Sequence, residues 1–203
     1  MSAPALVYLE HLGDADSARI ASWCADADNA ALVLVHPWFF ETDIELAAVL
    51  NLLRGTPEQR ALVRPLDACI ARTIQARSTS YCGALGRLLS LQIPTLGIIF
   101  EEEAHLAKTW GRLNRLVPSM QWTIVPTQAR TSLPVSGSFE RVLKQTHSCG
   151  ARRLTIAGCY VSTVAEIPTD GCVSQVARAF KESPLFGDAN VEVHAEAVLI
   201  SSP

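Results

Sequence analysis

Short apolar runs bounded by polar or turn-forming residues recur along the chain, and between them apolar side chains return every three or four positions. Ala5-Leu6-Val7-Tyr8-Leu9, Ala31-Leu32-Val33-Leu34-Val35, Thr95-Leu96-Gly97-Ile98-Ile99-Phe100, Trp122-Thr123-Ile124-Val125, Leu154-Thr155-Ile156-Ala157-Gly158 and Val191 to Ile200 read as strands. The second run stops at His36-Pro37, because proline has no N–H for a ladder and restricts the residue before it. Helical spacing appears from about Asp16 to Ala25, with Ile20, Trp23 and Cys24 on one side. Thr42 and Glu45 form a capping box for a helix to about Leu53. Cys69, Ile70 and Ile74, then Cys82, Leu85, Leu88 and Leu89, make a helical connection. Three more helices follow: one from the glutamates at 101–103 to about Leu116, one carrying Phe139, Val142 and Leu143 with Gly150 as its C-cap, and one carrying Val173, Val176, Ala177 and Phe180.

Strands alternating with helices predict an α/β protein: a three-layer sandwich around a mainly parallel, Rossmann-like sheet of about six strands. The 203 residues suit a single domain, 1–203. In such sheets ligands bind beyond the carboxyl ends of the strands, near the point where strand order reverses. Glu10 and His11, His36, Glu101 to His105, Thr127 to Arg130 and Cys159 to Thr163 all occupy strand ends. They form a polar, titratable set converging on one edge.

Composition narrows the partners. A net charge near −3 with no long run of Lys or Arg argues against a nucleic-acid surface. No apolar segment is long enough to cross a bilayer. Six cysteines at irregular spacing, without a CxxC pair or a signal-peptide pattern, imply reduced thiols and a cytoplasmic location. Neither G-x-G-x-x-G nor a P-loop pattern occurs, so no nucleotide cofactor is expected. Glu101-Glu102-Glu103 is the one like-charge run and reads as a solvated helix start.

The chemistry concentrates between Ala151 and Phe180. Thr169 or Asp170 can cap the helix that follows, and either choice puts Cys172 in its first turn. A thiolate there faces unpaired N–H groups and the positive end of the helix dipole, which suits a nucleophile. Thr169-Asp170-Gly171-Cys172-Val173 resembles the T-D-x-C-V turn of the isochorismatase-like cysteine hydrolases, the superfamily that includes nicotinamidases. That resemblance implies attack by Cys172 on the carbonyl of a small amide, with an Asp and a Lys nearby. The chain departs from the pattern in three ways. Residues 160–167 lie where the family has a short link. The family Asp is replaced by Glu10 or His36, depending on which strand comes first in the core. The family Lys is absent after Val125, where Arg130 is the available cation.

Cys159, directly after the Gly158 strand end, is the rival nucleophile, and its alternative is strand-end packing. Either Glu10 or His36 can act as base, His36 with the better-matched unperturbed pKa. Trp38 and Phe39 are candidates for lining a substrate pocket, alongside Thr127, Cys159, Tyr160 and Thr169, although Trp38-Phe39-Phe40 also suits core packing or a subunit contact. Glu103-x-His105 resembles part of the metal site of metal-dependent nicotinamidases, but a second histidine is not evident, so no metal is expected. The expected function is hydrolysis of a C–N bond in a small molecule, in a protein expected to be homo-oligomeric. The alternatives are a catalytically inactive relative serving as a binding or assembly subunit, and an unrelated Rossmann-like ligand binder.

Overall fold

The computed structural model describes residues 7–26, 29–41, 68–91, 96–118, 120–129, 131–161, 171–187 and 190–200. Five strands form one all-parallel sheet: β1 (Ala30–Val35), β2 (Leu96–Glu102), β3 (Gln121–Thr127), β4 (Arg153–Val161) and β5 (Val191–Ile200), in the order β3-β2-β1-β4-β5. Among the described residues the α-helices with both ends defined are α1 (Asp14–Asp26), α2 (Ala68–Ser90), α3 (Glu103–Leu116), α4 (Glu140–Ser148) and α5 (Cys172–Lys181). Together these elements make a Rossmann-like three-layer sandwich.

The central strand is apolar on both faces, as a strand covered from both sides requires. Val33 and Val35 of β1 pack with Ile98 and Phe100 of β2, Ile156 of β4, Ile20 of α1, Val142 of α4 and Phe180 of α5 in one buried cluster. Leu32 and Leu34 point the other way, into a second cluster with Leu85 of α2 and Leu113 of α3. Each fully buried side chain of this kind contributes about 1.5–3 kcal/mol.

Two glycines permit close backbone or ring approaches. Gly158 has φ +132°, and a Cβ there would lie 1.9 Å from the Val35 carbonyl oxygen. It also marks a shift in the β4–β5 register. At Gly97 a Cβ would meet the Trp122 ring at 2.1 Å.

The first apolar run does not form a sixth strand among the described residues. Tyr8 makes only an isolated parallel bridge to Ile124, whose N–H donates to the Val7 carbonyl at 2.8 Å. The next outward-facing position on β3 is Pro126, which has no N–H and whose carbonyl accepts from Val135. Pairing therefore stops, and Leu9–His11 turn into a short 3-10 helix that buries Leu9. The predicted helix to Leu53 lies outside the described residues. The helical stretch before β2 is one continuous helix from Ala68 to Ser90. At α5 the N-cap is Gly171, without a side-chain cap, rather than Thr169 or Asp170, so Cys172 is the first helical residue.

Successive strands run outward from β1 through β2 to β3 on one side, and from β4 to β5 on the other. The reversal lies between β1 and β4. His36 follows β1, at the switch point where parallel sheets bind ligands, and Cys172 begins α5, the next described element after β4.

Candidate catalytic site

His36 is the residue that turns the end of β1 into a site. Its φ is +44°, a left-handed conformation that costs a residue with a Cβ about 1 kcal/mol or more but that histidine adopts more readily than most. Two main-chain hydrogen bonds hold it there: the His36 N–H donates to the Phe100 carbonyl at 2.9 Å, and its own carbonyl accepts from the Phe39 N–H at 3.0 Å. The turn brings the ring against the end of the neighbouring strand. Nδ1 lies 3.1 Å from Oε1 of Glu101, and both side chains are almost fully buried.

Glu101 is held from every side. Oε1 also accepts from the Glu102 N–H at 3.1 Å, and Oε2 accepts from the Thr109 hydroxyl, on α3, at 2.9 Å. The expectation of three solvated glutamates therefore fails for the first of them. β2 continues two residues past Phe100 before α3 begins, which carries Glu101 into the interior and leaves Glu103 exposed.

The other ring nitrogen, Nε2, lies 3.2 Å from the main-chain carbonyl of Thr131. A carbonyl and a carboxylate both accept, so each ring nitrogen must donate, and the ring that satisfies both contacts is the imidazolium. Electrostatics agree. Burial alone would lower the His36 pKa, but hydrogen bonding to Cys172 and Glu101, together with the negative charge each can carry, outweighs it and raises the pKa to about 10. Cys172 is thus a neighbour close enough to act on the ring, while the aligned hydrogen bonds of the ring go to Glu101 and Thr131.

Cys172 is half-buried at the first position of α5 and packs against the core cluster beneath it. The first intrahelical bond there is from the Gln175 N–H to the Gly171 carbonyl, and among the described residues no acceptor meets the earlier amides of the turn. The loop after β3 braces the arrangement. Ser132, fully buried, donates to Oε1 of Gln175 at 2.8 Å, and the Leu133 N–H donates to Oγ1 of Thr131 at 2.8 Å. One loop thus fastens to the helix bearing the cysteine and presents a carbonyl to the histidine.

Cys159 is a core residue. It is buried in the second core cluster with its thiol 3.9 Å from the Pro37 carbonyl, and burial pushes its pKa far up. Burial likewise raises Cys24 to about 12 and Cys149 to about 11. Glu10 is buried too, but among the described residues its carboxylate meets the Ser136 hydroxyl, from which it accepts at 2.6 Å on the β3 side of the molecule, and not His36 or Cys172. Of the two candidate bases, His36 is the one whose charge Cys172 influences. Thr127 ends β3 with its hydroxyl buried and unpartnered among the described residues. Trp38 and Phe39 are half-buried, and the Phe39 ring contacts those of His36 and His105 at 5.7 and 6.1 Å. Arg130 and Thr169 lie outside the described residues. Tyr160 belongs to β4, but its side chain is not described. Among the described residues no group of three or more His, Cys, Asp or Glu could hold a metal ion, and no helix is long and apolar enough to cross a membrane.

No protein-family model, curated protein or solved structure matches the chain. The site therefore stands on its geometry: a partly exposed cysteine at a helix start, a buried histidine beside it, and a buried carboxylate behind the histidine.

Proposed function

We propose that this protein is a cysteine-dependent hydrolase acting on the C–N bond of a small amide, with Cys172 as nucleophile, His36 as acid and base, and Glu101 orienting His36. The observation that carries the reading is the double engagement of His36, which touches Glu101 through Nδ1 and lies within reach of Cys172. Cysteine acts as a nucleophile through its sulfur, and a neighbouring histidine is the usual group to move the protons of that chemistry.

The reaction follows from these placements. The Cys172 sulfur adds to the amide carbonyl carbon, and the C=O electron pair moves onto oxygen. Unpaired amides at the start of α5 are placed to donate to that oxyanion. Collapse breaks the C–N bond while His36 gives its proton to the departing nitrogen, leaving an amine and a thioester on Cys172. Neutral His36 then takes a proton from water as it adds to the thioester, and the second collapse releases the acid and restores thiolate and imidazolium. Glu101 keeps Nδ1 protonated and steadies the charge that returns to the ring on each cycle.

This assignment differs from the isochorismatase-like pattern in its base, because His36 ends the strand where that family carries an Asp, and no Lys follows Val125. The T-D-G-C-V turn supports cysteine chemistry in general more than that family in particular. A second reading has its own observation. Nε2 of His36 faces the Thr131 carbonyl, so the nitrogen that would trade a proton with Cys172 already has an acceptor. A loop that kept that contact throughout would suit an inactive relative that serves as a binding subunit.

The test is covalent trapping. The folded protein is exposed to activated small acyl amides and esters, quenched in acid and digested, and acyl adducts are mapped by mass spectrometry. A turnover-competent acyl adduct confined to Cys172 and abolished in His36→Gln supports the hydrolase. Absence of any such adduct across the panel favours the binding subunit.

A further inference from the structure

Behind Glu101 lies a second feature that the triad does not use. Trp38, Phe39, His105, Lys108 and Arg112 surround a narrow recess whose floor is Glu101 and Thr109, with a cavity volume of about 20 Å³, room for one small polar group, and an opening to solvent. Its walls are flat rings and hydrogen-bond donors. The Arg112 guanidinium carbon lies 4.5 Å from the centre of the Trp38 ring, which fixes the plane of the fork. Glu41 accepts from Arg112 Nη1 at 2.8 Å and from Lys108 Nζ at 3.2 Å. Among the described residues no other acceptor meets the remaining N–H groups of Arg112 and Lys108, and none meets the His105 ring.

The charges decide which ligand fits. Burial alone would raise the Glu41 pKa, but the hydrogen bonds from Arg112 and Lys108 lower it, so Glu41 is an anion that offsets one of the two cations. At the floor, the His36 imidazolium offsets Glu101. One positive charge remains, with donors to spare and aromatic walls. That suits a single carboxylate on a small apolar stem. A phosphate dianion would bring a second negative charge against Glu101.

We infer that the recess binds a carboxylate group and, resting on the reading of Cys172 as nucleophile, that this carboxylate belongs to the substrate. Phe39 connects the two places, since its ring touches the His36 ring and also walls the recess. The substrate class narrows accordingly, to small amides that carry a free acid on the acyl side or the amine side.

Two measurements test this. In the first, the protein is titrated with sodium propionate, and with sodium chloride and inorganic phosphate for comparison, while the Trp38 indole and His105 ring resonances are followed. Saturable shifts with propionate that vanish in Arg112→Gln and weaken in Lys108→Gln are expected. Shifts no larger than those from chloride, shifts stronger with phosphate, or shifts unchanged in Arg112→Gln would overturn the site. In the second, Cys172 is alkylated with haloacetamides bearing a terminal carboxylate on stems of increasing length, each against its uncharged isostere. One stem length is expected to show about a fivefold rate advantage for the acid, the size of a partly exposed charge pair, and Arg112→Gln is expected to erase it. Ready alkylation with no preference at any length would overturn the substrate assignment and leave the nucleophile intact. A Cys172 inert to every reagent would instead remove the hydrolase reading and the substrate role with it, while the propionate titration still decides the site.

Discussion

Nδ1 of His36 lies 3.1 Å from Oε1 of Glu101, so two residues 65 positions apart close a buried ion pair across the ends of adjacent parallel strands. The register explains why they meet. Val35 pairs with Phe100, so the residue after each partner falls at the same level beyond the sheet. The left-handed turn at His36 then swings its ring sideways onto the glutamate rather than out along the strand.

That pair sets an expectation for Glu101→Gln. The amide keeps the shape but removes the charge, so the His36 pKa falls and the ring loses its fixed tautomer. Turnover in Glu101→Gln should drop about 10²- to 10⁴-fold, the range seen when general acid–base groups are lost or misoriented. A histidine pH titration by NMR together with kcat/KM checks both parts. An unchanged His36 titration in Glu101→Gln would contradict the pairing.

Stability should depend on pH through the same group. His36 titrates near 10 when folded, against an ordinary value of 6.5. A raised folded pKa adds stability that is complete below about pH 6.5 and is lost as pH rises through about 10. Buried Cys24, Cys149 and Cys159 add to the loss only above about pH 9, their ordinary value. Urea unfolding between pH 6.5 and 9 should therefore show falling stability in the native protein and a flatter profile in His36→Gln. Equal slopes would mean that the ring is neutral in the fold.

The support around the carboxylate is testable separately. Thr109→Val keeps the side-chain shape but removes the hydroxyl that donates to Glu101 Oε2. The buried oxygen then lacks a donor, which costs about 1–3 kcal/mol. Denaturant melts of Thr109→Val check it, and a change below about 0.5 kcal/mol would show that Glu101 is not dependent on that bond.

Gly158→Ala tests the close approach of β4 to β1. Its Cβ would overlap the Val35 carbonyl, and the backbone conformation at +132° is one that only glycine adopts readily. Loss of more than ~3 kcal/mol, or failure to fold, is expected, since neither strain nor overlap can relax without breaking the ladder. Thermal melts alongside Gly137→Ala separate the two effects, because that glycine also has positive φ but meets nothing.

Much of this architecture was legible in the chain. The runs at the centre of β1, β2 and β4 are apolar because both faces of the sheet are covered there, edge strand β5 interleaves Glu192, His194 and Glu196 with buried residues, and His36-Pro37 marked the end of β1. Residues 5–9 looked equally strand-like, yet strand formation there depended on β3, where Pro126 removes the donor that a longer pairing needed. Local pattern carries no record of such a partner. Cys172 was recognisable because its signal is local: a small polar turn before an amphipathic helix. Glu101 was not, because a charged triplet after a strand ordinarily begins a solvated helix. Only the two strand residues beyond Phe100, together with Thr109 in the second turn of α3, make it a buried group. The choice between Glu10 and His36 likewise rested on tertiary placement. The Ser136 contact that occupies Glu10 spans 126 positions and has no local signature.

The measurement that bears most directly on the central claim is alkylation of each cysteine by iodoacetamide across pH 5 to 10, resolved by peptide mass spectrometry on the folded protein. The account predicts that Cys172 reacts ahead of exposed Cys82 at pH 6, with buried Cys24, Cys149 and Cys159 protected, and that the advantage disappears in His36→Gln. A Cys172 that is inert in the fold, or that reacts identically with and without His36, would contradict it.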